Sequence, residues 1–244
     1  MSEITNQISS SIDALMKEYE IITNNLANVS TVGFKRRCNA FSKAMEEQDS
    51  ANQTYTPGTV ELESAFDFSQ GNMTETGREL DFALMGKGFF VIETPDGPLY
   101  TRNGTFNIDQ NGQIVDMQGR IVAGESGTIT IPSSVSVSEV FAAADGTVSA
   151  HGATLGKFKL VDFADNQNKL APVGCNCFMV TEEGIEPSAA ENIIVKQRFL
   201  EASNVQIVEE LVDMMMVTRM YEANMEFLNT NRQASSSLMS VAMG

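Results

Sequence analysis

Cys38, Cys175, Cys177 and His151 are the soft-metal ligand types of this 244-residue chain, and together they would formally make a four-ligand zinc set. Their separations match no recognised ligand spacing, and three cysteines give neither a disulfide framework nor a pair of C-x-x-C knuckles. Buried or half-buried thiols and a turn histidine are the expectation. Gly86-Lys87-Gly88 lacks the second half of a phosphate loop and lies between two strand-like runs, so it reads as a hairpin turn in which glycine supplies positive φ. Asp109, Asn111 and Gln113 imitate the opening of a calcium loop, but Ile114 stands where glycine is required and Arg120 where the bidentate glutamate should be. A Ser-His-Asp arrangement has only His151 to use, and there is no G-x-S-x-G elbow. The 32 acidic residues allow many carboxylate pairs, and nothing in the sequence selects one. No catalytic residue, metal site or cofactor site is expected.

Charge narrows the partners. Sixteen basic residues against 32 acidic ones give a formal net charge of -16, which repels phosphate backbones and anionic lipid surfaces. No nucleic-acid partner is expected. The longest apolar runs, Val140 to Ala144 among them, have five residues, whereas a membrane-spanning helix needs about twenty, so no membrane insertion is expected either. The first twenty residues are polar with apolar residues at helical spacing, unlike a cleaved secretory signal. Residues 1–40 hold four basic and four acidic residues, so the whole negative charge resides in residues 41–244.

The ends of the chain carry helical patterns. Ile4, Ile8, Ile12, Leu15, Tyr19, Ile22 and Leu26 alternate steps of three and four, a heptad-like stripe. It ends where Asn28, Val29, Ser30, Thr31, Val32 and Gly33 replace helix formers, which predicts one helix of about 25 residues. Near the other end Ser203 and Gln206 have capping-box spacing, with Ala202 and Ile207 placed as a hydrophobic staple, so a helix is predicted to start there. Beyond it Leu211, Met214, Thr218, Tyr221, Met225 and Leu228 repeat the three-four alternation, and no proline or glycine interrupts residues 203–243. At 1.5 Å per residue such a helix reaches roughly 60 Å. The middle changes to short β-rich runs separated by Asp96-Gly97, Asn103-Gly104, Asn111-Gly112 and Asp145-Gly146. Runs 80–84, 89–93, 99–102, 106–108, 113–117 and 120–123 read as an antiparallel meander, continued more weakly by 128–131, 135–137, 147–150, 157–162 and 177–180.

The expected fold class is α+β: a discontinuous helical, coiled-coil unit from both termini (residues 1–40 with 200–244), an extended connecting segment (41–79) and a central all-β outer domain of antiparallel strands (80–199). Long, sustained stripes at both ends suit helix-on-helix association between copies, which makes an interaction protein the physical reading.

A family resemblance joins this reading. Asn24-Asn25-Leu26-Ala27-Asn28-Val29-Ser30-Thr31-Val32-Gly33-Phe34-Lys35 closely resembles the N-terminal signature of the bacterial flagellar axial proteins, which include rod, hook and hook-filament-junction subunits. Leu80-Asp81-Phe82-Ala83-Leu84, Gly88-Phe89-Phe90 and Tyr100-Thr101-Arg102-Asn103-Gly104 with Phe106 look like that family's entry into its β-domain. Ser203-Asn204-Val205, Val208-Glu209-Glu210-Leu211 and Arg219-Met220-Tyr221-Glu222-Ala223-Asn224 look like its C-terminal signature. The chain is too short for a typical hook subunit, and Asn39-Ala40-Phe41 is similar to proximal-rod proteins, with a distal-rod or hook-type subunit as the alternative.

The resemblance implies a non-enzymatic building block of the periplasm-crossing rod of the flagellar basal body. It implies export through the flagellar type III apparatus without a cleaved signal, and assembly with itself and other rod or hook axial proteins into a torque-transmitting tube around the export channel. Phe41-Ser42-Lys43-Ala44-Met45 resembles the family's export-gate motif, which assigns Phe41 and Met45 to export. The expected assembly residues are Ile8, Ile12, Leu15, Tyr19, Ile22, Asn24, Asn25, Leu26, Asn28, Gly33 and Phe34 at one end, and Asn204, Val205, Val208, Leu211, Met214, Tyr221, Glu222, Asn224, Met225 and Leu228 at the other. Tyr221 is the expected amphipathic anchor, with Asn24, Asn25, Asn28 and Asn224 bonding backbone where the helix turns into the loop at Gly33. A cell-wall hydrolase, which would need a cleft with paired acids, and a secreted oligomeric adhesin are the rival classes.

Overall fold

The computed structural model describes residues 2–39, 64–182, 184–190 and 192–243, and the chain divides into two compact units. Phe41 and Met45 lie outside the described residues.

The first unit draws on Met1–Ala27, Arg37–Phe66 and Val205–Gly244. Its first helix, α1 (Ser2–Ala27), spans 26 residues and stops where the sequence turns to β-branched and turn-forming residues. Strands β1 (Arg37–Asn39) and β2 (Ser64–Phe66) pair antiparallel, with the Arg37 guanidinium 5.5 Å over the Phe66 ring. The second helix, α2 (Ile207–Met243), runs 37 residues and packs against α1. Its start corrects the capping-box expectation by three residues, since Ser203 as N-cap would make 204 the first helical residue and the helix begins at Ile207. The Gln206 carbonyl accepts the Glu210 amide, and residues 202–206 are non-helical, because the Asn204 side chain is committed to bonds with a neighbouring loop described below. Glu209 and Glu210 fall in the first turn, where carboxylates favour the positive end of the helix dipole.

The second unit, Asn28–Arg36 with Asp67–Asn204, has short strands as its regular elements apart from two 3-10 segments, Val137–Glu139 and Ala164–Lys169. Its strands are β3 (Met73–Glu75), β4 (Phe82–Met85), β5 (Phe89–Thr94), β6 (Gly97–Thr101), β7 (Asn107–Ile108), β8 (Ile114–Val115), β9 (Ile121–Val122), β10 (Val140–Ala142), β11 (Thr147–Ala150), β12 (Ala153–Lys157), β13 (Leu160–Asp162), β14 (Leu170–Gly174), β15 (Cys177–Val180), β16 (Ser188–Ala189), β17 (Ile194–Gln197) and β18 (Phe199–Glu201). All pairings among them are antiparallel. The main sheet runs β14-β15-β6-β5-β9-β8-β7, with β13 bridging β5 and β16; β10-β11-β12 form a second sheet, and β4-β17 and β3-β18 are separate pairs. The order departs from a simple meander, since β5 lies between β6 and β9.

Period-two alternation along β5 explains the core. Phe90 and Ile92 enter a cluster with Phe82, Phe106 and Phe158, where Phe90 meets Phe106 edge-on at 5.1 Å. Phe89 faces Phe68, Phe163 and Phe178. Both faces of β5 are therefore covered, and none of Phe89 to Ile92 is exposed beyond 3%. Gly104 admits this packing: a Cβ there would lie 1.8 Å from the Phe82 carbonyl oxygen, a contact no side chain tolerates.

Several local expectations change. Residues 128–131 contribute only an isolated bridge, Gln113 to Thr130, and 137–139 form a 3-10 turn, so the predicted strand over 135–137 begins instead at Val140. The Gln197 side chain explains the shift: it donates to the Val140 carbonyl and accepts from the Ala142 amide, giving β10 a partner along that edge. Gly86-Lys87-Gly88 is not a hairpin turn, because β4 pairs with β17 and β5 with β6, and the turn carries the chain from one sheet to another.

Candidate assembly site

Within the first unit, the face of α2 turned toward α1 is lined by Glu210, Met214, Val217, Tyr221, Asn224 and Leu228, spaced by three and four. Glu210, Val217 and Leu228 are buried; Met214, Tyr221 and Asn224 are half-buried. This face is rotated slightly from the sequence stripe, so Val217 and Glu210 are covered where Thr218 and Leu211 had been expected, while the Thr218 hydroxyl bonds back to the Met214 carbonyl. On α1, Ile22 is buried and Ile8, Ile12, Leu15, Asn24 and Leu26 are half-buried, while Tyr19 is 44% exposed. Leu15, Met16, Tyr19, Val217, Thr218 and Tyr221 line an apolar groove of about 320 Å³.

One polar clasp interrupts the apolar face. The fully buried Asn25 accepts from the Arg37 amide and donates to its carbonyl, both at 2.8 Å, and its amide also donates to the equally buried Glu210 carboxylate at 3.2 and 3.3 Å. The asparagine amide supplies a donor and an acceptor to both backbone groups of one residue, as a strand neighbour would. Glu210 stood in the C-terminal signature, but its burial had no counterpart in the apolar periodicity.

The outer side of α2 is also apolar. Val208 is 74% exposed and Met220 60%, and Ile207, Leu211, Val212, Met215, Met216 and Phe227 are likewise exposed. Glu222 is exposed, and Met225 lies at the edge of exposure. Val205, immediately before α2, is buried.

The second unit contains a buried ionic node. Lys35 donates to Glu201 and to the Ser69 carbonyl, each at 2.7 Å; Arg102 reaches the other Glu201 oxygen at 3.3 Å, and the Gly71 amide completes the carboxylate shell. All three charged side chains are within 2% of complete burial. Burial pushes the Lys35 ammonium below its ordinary 10.5, with Glu201 opposing, and likewise lowers Arg102. Two cations share one carboxylate, and the surplus charge is met by carbonyls: Arg102 donates to the Leu84 and Gly86 carbonyls and sits 5.4 Å over the Phe89 ring.

The loop bearing Lys35 is fixed on either side of that charge. Gly33 has φ +68 and its amide donates to the Glu201 carbonyl; a Cβ there would lie 2.5 Å from the Asn103 nitrogen. Phe34 is buried, Asn28 accepts from the Thr31 amide and hydroxyl, and the Arg36 amide donates to Asn204. Asn204 in turn donates to the Asp67 carbonyl and the Ser69 hydroxyl. Asn176, in the two-residue turn from β14 to β15, donates to the Val32 carbonyl. Lys35 and Arg102 stand inside the N-terminal and β-domain motifs, whereas Glu201 lies in none of them; an acid flanked by Phe199, Leu200 and Ala202 is the signal the sequence offers for it.

The other candidate chemistry resolves into turns. The Asp109 carboxylate accepts the Asn111 and Gln113 amides, capping the β7–β8 turn, and Asp116 does the same for Gln118 and Arg120 in the next. His151 has φ +52 and lies 3.2 Å from Glu139 at the surface. Cys177 is buried, with its thiol pushed up by that burial and bonded to Arg120; Cys175 is exposed and Cys38 half-buried. Among the described residues no group of three His, Cys, Asp or Glu is placed to hold a metal ion.

Three family models match in chain order: "Flagella basal body rod protein" at residues 13–35, "Flagellar hook protein FlgE/F/G D1 domain" at 83–150, and "Flagellar basal body rod FlgEFG protein C-terminal" at 196–241. Lys35, Arg102 and Glu201 fall one in each. The flagellar basal-body rod protein FlgG of Buchnera aphidicola subsp. Acyrthosiphon pisum is 35% identical over 247 residues, covering 91% of this chain and 93% of its own. FlgF of Salmonella typhimurium is 33% identical, covering 93% and 94%, and FlgG of Bacillus subtilis 31%, covering 91% and 92%.

Proposed function

The chain belongs to the flagellar basal-body rod protein family, and we propose that it is a structural subunit of the proximal rod that polymerises through its terminal helices into a coiled-coil tube. The tube transmits torque and encloses the export channel. The subunit is not an enzyme, and its partners are further copies of itself, other rod or hook axial proteins and the type III export apparatus. It reaches the periplasm-crossing part of the basal body without a cleaved signal, and Phe41 and Met45 serve as its export element. The proximal segment is read from the resemblance of Asn39-Ala40-Phe41 to proximal-rod proteins.

The observation that carries this reading is that α2 is apolar on two sides while α1 covers one. An outer face including Val208, Leu211, Val212 and Met220 favours burial against another apolar surface by about 25 cal/mol per Å² removed from water. The groove between Leu15 and Tyr221 offers a differently shaped receptor. Seating the face of one copy in the groove of the next is a heterologous contact, and such a contact generates a helical filament when its rotation does not close. The long stripes then act as the seam of a tube built from many copies.

Leu211 is 46% exposed, so Leu211→Asp should leave the subunit folded, with unchanged circular dichroism, yet abolish incorporation into labelled basal bodies and swimming. Normal swimming by that variant would sink the terminal-helix mechanism. The position of the label along the rod in electron micrographs reads the segment, and a label toward the hook end would reassign the subunit to the distal rod.

A further inference from the structure

Seven methionines lie within α2, and Met214, Met215, Met216, Met220 and Met225 fall within a span of twelve residues. They do not share one environment. Met214 is half-buried on the α1 side, whereas Met215, Met216 and Met220 are 55%, 56% and 60% exposed on the sides turned away from α1. The thioether is soft and polarisable, and its reaction with peroxide needs access rather than deprotonation. A thiol competitor is partly withdrawn, since Cys177 is buried and held by Arg120.

We propose that Met215, Met216 and Met220 form an oxidation site through which hydrogen peroxide, or another two-electron peroxide oxidant, controls whether the subunit can assemble. The sulfur lone pair attacks one peroxide oxygen, the O–O bond breaks as the S–O bond forms, and the other oxygen leaves with the transferred proton as water from hydrogen peroxide or as the alcohol from an organic hydroperoxide. The thioether is thereby oxidised by two electrons and the peroxide reduced. The product is a polar, chiral sulfoxide on a face whose use requires burial, where an unmatched acceptor is unfavourable. Methionine sulfoxide reductase, drawing on two thiols, returns the thioether with one disulfide and water, so the block is reversible by enzyme and not by free thiol. Assembly buries the same sulfurs, which confines the switch to the subunit before incorporation. The proposal rests on the assembly reading of α2 given above.

The test treats the purified full-length chain with hydrogen peroxide, then with dithiothreitol, which reverses reducible cysteine oxidation and leaves sulfoxides in place. Peptide mass spectrometry should find Met215, Met216 and Met220 oxidised ahead of the half-buried Met73 and Met85. Self-association, followed by sedimentation, should fall by roughly tenfold or more, the factor expected when a buried apolar contact turns polar, and methionine sulfoxide reductase should restore it. In the combined Met215→Leu, Met216→Leu, Met220→Leu variant, measured against its own untreated baseline, peroxide should cause no such loss. Oxidation of the three sulfurs without loss of association would overturn the proposal and leave the assembly reading intact. An equal loss in the leucine variant would also overturn it, by assigning the effect to other methionines such as Met117 and Met179. Failure of the untreated chain to associate, together with normal swimming of Leu211→Asp, would remove the assembly reading and the proposal with it.

Discussion

Glu201 binds two cations with one carboxylate in a site closed to water, so its removal should be felt more than that of either partner. Glu201→Gln keeps the shape but leaves the Lys35 and Arg102 charges buried without a counterion, and breaking such a pair costs about 3 to 5 kcal/mol. Lys35→Met deletes the shorter contact at 2.7 Å yet leaves a balanced Arg102–Glu201 pair, so it should be the milder change. Urea denaturation should rank wild type, Lys35→Met and Glu201→Gln in falling order of midpoint; the reverse order of the two variants would mean that the node is not held by charge balance. The lysine also fixes a pH dependence. Its folded-state pKa is depressed below 10.5 by burial. Between that depressed value and 10.5 the unfolded chain binds the proton more tightly, so stability rises with pH across the window, and the full cost of the buried charge is present below it. Lys35→Met should lack this rise, which a comparison of the two unfolding curves between neutral and alkaline pH would reveal.

At the scale of the element, Tyr221 and Glu222 separate a helix face from a helix surface. The Tyr221 ring lines the groove with Leu15 and Val217, while Glu222, about 100° further round, is exposed. Tyr221→Ala should lower the stability of the first unit by about 1 to 3 kcal/mol and abolish incorporation, whereas Glu222→Ala should change stability by about 0.5 kcal/mol or less. Near-normal motility of both variants would show that the groove takes no part in the rod. Both helices were legible in sequence because a three-four stripe repeated over six or seven apolar residues is a strong periodic signal. The start of α2 was misread because Ser203 and Gln206 satisfy a local capping rule, while the deciding bonds of Asn204 are to residues 36, 67 and 69, far off in the chain. The strands over 89–93 and 147–150 could be read from β-rich runs and turn pairs. The edge at Val140 could not, since its partner is the side chain of Gln197, more than fifty residues later. The same distance hid the node, since Glu201 stands 166 residues from Lys35 and 99 from Arg102 and meets them only in the fold.

For the whole molecule, the division into two units makes a prediction about where the chain can be cut. Residues 28–36 and 67–204 make a unit whose ends are tied by the Lys35–Glu201 pair, the Gly33–Glu201 backbone bond and the side-chain bonds of Asn204. Deleting residues 207–244 removes α2 while sparing every one of these contacts, so the product should keep the β circular-dichroism signature and a cooperative thermal transition. Deleting residues 203–244 takes Asn204 as well, and the lost hydrogen bonds, worth about 1 kcal/mol each, should lower that transition by roughly 4 °C or more relative to the 207–244 deletion. Neither protein should enter the rod, because the apolar faces of α2 are gone. The net charge of -16 makes that loss complete rather than partial, since copies of an acidic chain repel one another unless an apolar seam outweighs the repulsion. Raising the salt concentration shortens the screening length to about 3 Å at 1 M and should strengthen self-association of the full chain. The same salt should leave both truncations monomeric. Salt-driven association of the 207–244 deletion would therefore locate the principal subunit contact in the β unit and not in the helices.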